Sequence, residues 1–214
     1  MKHRLKALES KMAQKRLILT KVQVSEQKKA KTKKETLGEF FSECPGCCGT
    51  QDTFYVGTLK GVGRIYQQTF IDTYTKVGFA WLYDRKMPLT ALDLLNNRVI
   101  AFIEAHNIPL LRILTDRGTE YCGNPERHEH QLYLAIEDMD YTITKAKSPQ
   151  TAGIVVRLHT RLLDKFYTMT FRKKVYQTIE ELQEDLDIWM KSFNDDRFTY
   201  QKFDPNAMMM QSTQ

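Results

Sequence analysis

The chain has 214 residues, enough for one compact core with an appended segment. Hydrophobic residues make up 42% and charged residues 27%, which excludes wholesale disorder, and no apolar run approaches the roughly 18 residues of a membrane span. The charged start MKHRLK leads into an amphipathic stretch and excludes a signal-peptide core, so we expect a cytoplasmic protein with no membrane partner.

The net charge of +6 is distributed unevenly along the chain. Residues 1–36 hold twelve Lys or Arg against three Glu, a charge of +9, so the remaining residues carry −3. Leu5, Leu8 and Met12 recur at helical spacing, and Thr20 with Gln23 forms a capping box for a second helix. We therefore expect residues 1–40 to form a basic helical arm and residues 41–214 to form the core.

The second helix of this arm is rich in lysine and poor in apolar residues. Such a helix fits either a solvated linker or a segment that lies against DNA phosphates. The candidate DNA contacts are Lys28, Lys29, Lys31, Lys33 and Lys34.

Three of the four cysteines lie in the segment CPGCC, as Cys44, Cys47 and Cys48. A CxxC motif permits a zinc site, with His128 and His130 as further ligands. Zinc sites usually show a second paired motif at a set spacing, and none follows here. Reduced thiols in a loop are the alternative that we favour.

The segments after the cysteines alternate between strand and helix patterns. DTFYVGTL, RIYQQTFI and VGFAWLY are rich in β-branched and aromatic residues and are separated by short polar or glycine-bearing turns. Thr90 with Asp93 opens a helix, LLRILT forms a short buried strand, residues 126–139 are helical, and YTITKA forms a strand. A helix begins near Thr151, and Thr178 with Glu181 caps a last amphipathic helix. The order β-β-β-α-β-α-β-α-α predicts an α/β fold of the ribonuclease-H-like type, with a mixed five-stranded sheet flanked by helices.

Two aspartates stand where this fold collects acidic groups. Asp52 opens the first strand, and Asp116 ends the fourth strand immediately before a glycine turn. Phosphoryl transfer on DNA requires charge stabilisation of the attacking and leaving oxygens, which two Mg²⁺ or Mn²⁺ ions held by carboxylates can supply. An isolated aspartate at a strand end is more often a turn or helix cap, so the prediction depends on the pair and its context.

The segments DTFYVGTLKGVGRIYQQTFIDTY, LTDRGTEYCG and KSPQT together resemble successive motifs of bacterial insertion-sequence transposases. These belong to the retroviral-integrase-like superfamily and have an Asp-Asp-Glu catalytic triad. The resemblance runs from about residue 40 to residue 194. It implies that Asp52 and Asp116 are the two catalytic, metal-binding aspartates, and that Glu120 and Asp72 are structural.

The chain departs from the family at the third acid. The family usually reads SPQTNG, two residues, then Glu-Arg-Phe-His, whereas this chain reads SPQTAGIVVRLH. Arg157 and His159 keep the register, so Val156 occupies the position of the catalytic Glu. Asp164, the nearest later acid, is eight residues away, about 12 Å along a helix, which is too far to replace it. We expect at most one well-formed metal site.

Further departures favour a truncated and diverged copy. The helix-turn-helix module that such a transposase carries upstream is missing, and the C-terminal segment lacks the usual pattern. Lys145, Lys147 and His159 are further candidate DNA contacts; a solvated strand edge for the lysines and a core role for His159 are the alternatives.

The resemblance implies a protein of DNA integration or transposition that binds DNA near the bacterial nucleoid. Val156 predicts impaired catalysis. An active nuclease with a substitute acid is one alternative. A second is a non-catalytic module that binds DNA and forms homo-oligomers, or associates with an intact transposase.

Overall fold

The structure, a computed structural model, describes residues 44–123, 128–143 and 149–195. The basic arm, the predicted DNA contacts Lys145 and Lys147, and the diverged C-terminal segment lie outside the described residues. Their roles therefore stay predictions.

Three consecutive strands form an antiparallel meander: β1 (Gly49–Leu59), β2 (Gly63–Asp72) and β3 (Gly78–Tyr83). Gly61 and Gly63 adopt positive φ angles of 85° and 104° in the β1–β2 turn, a backbone conformation that glycine tolerates without a steric cost. The β1–β2 register shifts between Tyr55 and Gly57, which is the signature of a β-bulge.

Two short strands extend the sheet on the other side of β1. They are β4 (Arg112–Thr115) and β5 (Asp140–Ile143), and both the β1–β4 and β4–β5 pairs are parallel. The strand order is β3-β2-β1-β4-β5. The predicted mixed five-stranded sheet of the ribonuclease-H-like type is confirmed.

Helices connect and cover the strands. The first, α1, comprises Pro88–Leu94, a wider π-helical segment Leu95–Ile100, and Ala101–Ala105. Next comes α2 (Glu129–Ile136). The third helix, α3, comprises Pro149–Leu162, the π-helical segment Leu163–Tyr167, and Thr168–Lys173, and the last helix is α4 (Ile179–Asp195). Within the described part of the chain, no helix is long and apolar enough to cross a membrane.

Two hydrophobic clusters lie on opposite faces of the sheet. The alternation of β1 side chains sends Phe54 and Val56 to the face covered by α3 and α4, and Gln51 to the face covered by α1 and α2. The first face buries, among others, Ile71, Leu82, Val155, Leu158, Leu162, Leu182 and Leu186. The second face buries Phe70, Leu92, Leu94, Leu95, Val99, Ile113, Tyr133 and Leu134.

The two predicted helix caps have different outcomes. The Glu181 amide donates to the Thr178 hydroxyl at 3.2 Å, and α4 begins at Ile179, so that prediction is confirmed. The predicted cap at Thr90 is wrong, because α1 already begins at Pro88, whose fixed φ suits the first helical position. Thr90 instead donates its hydroxyl to the Met87 carbonyl.

The CPGCC segment forms a tight turn before β1. Its Pro-Gly pair brings the Cα atoms of Cys44 and Cys47 to 5.4 Å, and the structure joins these residues in a disulfide. The expectation of reduced thiols is therefore wrong for this pair. Cys48 is a free, buried cysteine, and burial raises the pKa of its thiol to about 11.

The histidines considered as zinc ligands have other partners. The ring of His128 bonds the Thr119 carbonyl at 2.8 Å, and His130 lies 3.3 Å from the Gln51 side chain. Burial lowers the pKa of His130 to about 3, so its ring is neutral. Among the described residues, no group of three or more His, Cys, Asp or Glu side chains is arranged to hold a metal ion.

Asp72 terminates β2 as a turn anchor. Its Oδ1 accepts the Gly46 amide at 3.0 Å, and its Oδ2 accepts the amides of Tyr74 and Thr75 and the Thr75 hydroxyl. These bonds fix the β2–β3 turn and attach it to the cysteine turn. Asp72 thus has the structural role expected from the sequence.

Candidate functional site

Of the two aspartates singled out by the sequence, Asp52 lies on β1 and Asp116 directly follows the adjacent parallel strand β4. The β1–β4 register pairs Gly49 with Ile113 and Thr50 with Leu114. Continuing this register by two residues aligns Asp52 with Asp116, which directly follows β4. Because neighbouring strands are about 4.8 Å apart, this register brings together two acids that are far apart in sequence.

The pKa of Asp52 reflects its burial and the nearby charge of Asp116. Burial raises the pKa of its carboxyl to about 6, and the negative charge of Asp116 is the next largest contribution in the same direction. The side chain is 26% exposed, so solvent still reaches it. A carboxyl group that is partly buried beside a second acid gains from a nearby cation.

Asp116 stands at the surface, where the chain turns away from β4. Its Oδ1 accepts the Gly118 amide at 2.7 Å, which fixes the side chain over the turn. The same contact is typical of aspartates that cap turns. One carboxylate oxygen is therefore engaged by the turn, while the residue as a whole is exposed.

His159 is buried against Asp52. Its Nδ1 lies 3.7 Å from Asp52 Oδ2, its Nε2 lies 3.0 Å from the Thr69 hydroxyl, and its ring lies 5.1 Å from the ring of Phe54. Burial lowers the pKa of the imidazole to about 4, so the ring is neutral at pH 7 and the contact with Asp52 is not an ion pair. At 7% exposure the residue has the core role considered for it, with little surface for a DNA contact.

The histidine belongs to a chain of buried polar side chains. Tyr167 donates its hydroxyl to Gln67 Oε1 at 2.5 Å, and the Gln67 amide donates to the Thr69 hydroxyl at 2.6 Å. Thr69 pairs directly with Asp52 across β1 and β2 and contacts His159. These bonds hold the groups around Asp52 in place. Period-2 alternation could have assigned Gln67 and Thr69 to one face, but it gave no sign that polar side chains would be buried there.

Val156 lies on α3 one turn before His159. It is 51% exposed, whereas its neighbour Val155 is buried at 2%. Residues three apart on a helix are surface neighbours, so Val156 lies beside the ring that contacts Asp52. The position expected to carry the third acid therefore presents an apolar side chain to solvent, one helical turn from the ring that contacts Asp52. Asp164, also on α3, is exposed two turns further along the helix.

A second acid, Glu120, is buried near the pair but on the other side of β1. It is 1% exposed, its Oε1 accepts the Thr53 hydroxyl at 2.6 Å, and the same oxygen forms an ion pair with the Lys86 ammonium at 2.9 Å. Thr53 and Asp52 are adjacent on β1, so their side chains leave opposite faces of the strand. Glu120 therefore flanks the acidic pair from the α1 and α2 face, which does not favour it as a substitute third ligand.

A cavity of about 400 Å³ lies away from these residues, between β3, α1 and α4. Phe79, Phe102 and Met190 provide apolar walls, and Arg98 and Asp187 form an ion pair of 3.1 Å at its edge. The cavity includes neither Asp52 nor Asp116. The acidic pair is thus a surface site and not the floor of this pocket.

Known proteins similar to this chain are integrases. The chain is 24% identical over 142 residues to a protein of Spiroplasma virus SpV1-C74 named "Putative integrase ORF3", a match that covers 63% of this chain and 38% of that protein. The chain therefore spans well under half the length of this relative. No protein-family model matches the chain.

Two solved structures are similar in fold. One is a chain from the intasome of simian T-cell lymphotropic virus, solved in complex with PP2A regulatory subunit B56 gamma. Its TM-score is 0.53 at 16% identity, covering 70% of this chain and 50% of that one. The other is the catalytic core domain of BIV integrase, with a TM-score of 0.51 at 17% identity, covering 78% of this chain and 95% of that one. The chain is thus similar in sequence to a protein named as a putative integrase and has the fold of an integrase catalytic core.

Proposed function

We propose that this chain is a core protein of DNA integration or transposition, diverged from an insertion-sequence transposase and impaired in catalysis. The observation that carries the proposal is the parallel β1–β4 pairing, whose register leads Asp52 and Asp116 to the same end of β4 in an integrase-core fold. Sequence similarity to a protein named as a putative integrase supports it. In this proposal, residues 41–214 form the core and residues 1–40 form a basic arm.

Asp52 and Asp116 suit one Mg²⁺ or Mn²⁺ ion. Both offer carboxylate oxygens, the donors that these ions prefer, and the charge of Asp116 already disfavours ionisation of Asp52. A bound cation would relieve that repulsion. When bound, such an ion stabilises the charge that develops on an oxygen in phosphoryl transfer. The residues of this chain supply the two carboxylates and the Thr53 amide, which donates to Asp52 Oδ1 at 2.8 Å and orients that side chain.

Val156 is the reason for proposing impaired catalysis. A second ion requires another carboxylate near the pair, and an exposed valine has no oxygen to offer. The fully buried Glu120 is engaged by Thr53 and Lys86 on the opposite side of β1. We therefore expect the chain to bind DNA without efficient strand cleavage.

The DNA contacts in this proposal belong mainly to the basic arm. Its lysines Lys28, Lys29, Lys31, Lys33 and Lys34 would contact phosphates without reading sequence, together with Lys145 and Lys147 of the core. Such binding weakens steeply with salt, because each phosphate contact releases condensed counterions.

The test is to measure duplex DNA affinity against salt for the whole chain. We expect binding that is independent of sequence, with a steep salt slope that falls when the five arm lysines are replaced by glutamine. Replacing Lys165 and Lys173, which are exposed on α3, is the control and should change the slope much less. Absence of DNA binding at low salt would overturn the proposed function.

A second candidate function is self-association, or association with an intact transposase. Ile188 is 71% exposed on the solvent side of α4, a helix whose other face packs on the sheet. In this proposal, the Ile188 side chain is buried against a second copy of the chain or against an intact transposase. Light scattering of the wild-type chain and of Ile188→Lys tests this role. A monomer at all concentrations would rule out the homo-oligomer.

A further inference from the structure

The Lys86–Glu120 ion pair is strongly asymmetric in its exposure. The side chain of Glu120 is 0% exposed, whereas that of Lys86 is 38% exposed, and the two are joined at 2.9 Å. Lys86 belongs to the segment between β3 and α1, and Glu120 follows Asp116 by four residues. The pair therefore ties the β3–α1 connection to the turn that carries Asp116.

The buried carboxylate of Glu120 anchors the Lys86 side chain. Its Oε1 also accepts the Thr53 hydroxyl at 2.6 Å, and among the described residues its buried Oε2 has no hydrogen-bond partner. A carboxylate buried in this way needs a cation for compensation, so the Lys86 ammonium is strongly held at this point. An ammonium group has three N–H donors, and the 38% exposure of the Lys86 side chain leaves part of it accessible to a ligand.

The position of the ammonium relative to the acidic pair is also informative. The charge of Lys86 acts on Asp52, where it opposes the upward pKa shift caused by burial and by Asp116. Its anchor, Glu120, bonds Thr53, whose side chain leaves β1 on the opposite face from Asp52. The Lys86 ammonium is thus anchored, through Glu120 and Thr53, on the opposite face of β1 from the Asp52 side chain and close enough to act on its charge. A cation at this position can bind one anionic group of a ligand while the next group of the same ligand lies at Asp52 and Asp116.

We propose that Lys86, oriented by the buried Glu120, is a DNA contact that binds a backbone phosphate next to the phosphate located at Asp52 and Asp116. This inference rests on the proposed function and extends it from the arm to the core. Lys86 is a positioning residue in this role: it fixes the register of the DNA strand over the acidic pair. A lysine reads no base identity through a phosphate, so the contact is independent of sequence.

The experiment uses the whole chain and a short fluorescein-labelled DNA duplex, with affinity measured by anisotropy over a range of KCl concentrations. Removing Lys86 alone would leave Glu120 buried and uncompensated, which could unfold the core. The informative variant is therefore Lys86→Met with Glu120→Gln, which leaves the net charge unchanged. We expect several-fold weaker binding and a salt slope reduced by about 1. Lys86→Arg should retain the slope.

The control is a second lysine–carboxylate pair of equal length. Lys174 lies 2.9 Å from Asp185 near the start of α4, and both side chains are partly exposed. Lys174→Met with Asp185→Asn removes the same charges away from the acidic pair, and we expect it to leave the salt slope unchanged. Circular dichroism of both double variants checks that the fold persists.

The outcomes separate this inference from the proposed function. Strong salt-dependent binding by the wild-type chain, with an unchanged slope in the Lys86→Met, Glu120→Gln variant, would overturn the inference and leave the proposed function standing. An equal loss in the control pair, or loss of the contact in Lys86→Arg, would also overturn it. Absence of DNA binding by the wild-type chain would overturn both.

Discussion

The imidazole of His159 lies between the Asp52 carboxylate, 3.7 Å from Nδ1, and the Thr69 hydroxyl, 3.0 Å from Nε2. Burial lowers its pKa from 6.5 to about 4. As pH falls through 6.5 the unfolded chain takes up this proton first, so the contribution of the neutral ring to stability is lost between pH 6.5 and about 4. From this effect, the free energy of unfolding falls by about 3 kcal/mol at most.

We expect His159→Gln to remove that part of the acid sensitivity while lowering stability at pH 7 through the lost packing and hydrogen bond. Urea unfolding at pH 7 and pH 4 with EDTA measures both effects. The control is His106→Gln on α1, away from Asp52. Equal acid losses in the wild-type and His159→Gln chains would contradict the neutral buried ring.

Asp52→Asn should stabilise the metal-free chain at neutral pH. The pKa of Asp52 is raised from 3.8 to about 6 by burial and by Asp116. Between these two pH values, the folded chain therefore holds a proton that the unfolded chain has lost. The contribution of protonated Asp52 to the free energy of unfolding is therefore fully present below pH 3.8 and is lost as pH rises through 6. Replacing the acid with its neutral isostere should raise the free energy of unfolding at pH 8 by about 3 kcal/mol at most.

The measurement is urea unfolding in EDTA at pH 4 and pH 8, and the gain should nearly vanish at pH 4. Asp164→Asn, which removes an exposed acid of α3, is the control. A loss of stability at pH 8 in Asp52→Asn would show that the carboxylate is favourably paired in the folded state.

Val156→Glu should add a metal site. Calorimetry with Mn²⁺ should detect at most one weak site in the wild-type chain and a second in the variant, because the new carboxylate faces solvent one helical turn from the ring that contacts Asp52. Glutamine is similar in size to glutamate but has no charge, so Val156→Gln should not gain the second metal site. Robust Mg²⁺-dependent DNA cleavage by the wild-type chain, abolished by Asp52→Asn and by Asp116→Asn, would contradict impaired catalysis.

Asp72→Ala should destabilise the fold without affecting metal binding. Asp72 accepts four hydrogen bonds that fix the β2–β3 turn and the cysteine turn. Hydrogen bonds to a charged group contribute about 1.5–3 kcal/mol each, and water replaces some of them in the variant, so we expect a loss of about 3 kcal/mol in urea unfolding. Asp72→Asn should lose less. A change in Mn²⁺ affinity at equal folded fraction would assign Asp72 to the metal site instead.

The sequence predicted the order of strands and helices well, because each element has a characteristic composition or period. Runs of β-branched and aromatic residues marked β1, β2 and β3, and helical spacing marked α4 from Ile179 to Phe193. Helix starts were less certain. Thr90 has a good capping residue type, yet the proline two positions earlier decides where α1 begins.

The site was predictable to the extent that it depends on local signals. Asp52 and Asp116 stand at strand positions that the pattern identifies, and the resemblance gave the register of Val156. The buried network of Tyr167, Gln67 and Thr69 was not predictable, because polar residues in a strand pattern are normally assigned to solvent. The Lys86–Glu120 pair was missed for a similar reason: its partners come from separate loops that only the tertiary fold brings together.

The order of strands in the sheet has a consequence for how the chain folds. The β1–β2–β3 meander joins neighbours in sequence, whereas β1 meets β4 only after the chain has passed through β2, β3 and α1. Non-local pairing must first close a long loop, so we expect the meander to form early and the β1–β4 contact to form late, on the native side of the folding transition state. The repulsion between Asp52 and Asp116 then arises late. Relieving it with Asp52→Asn should slow unfolding and leave the refolding rate unchanged in stopped-flow measurements.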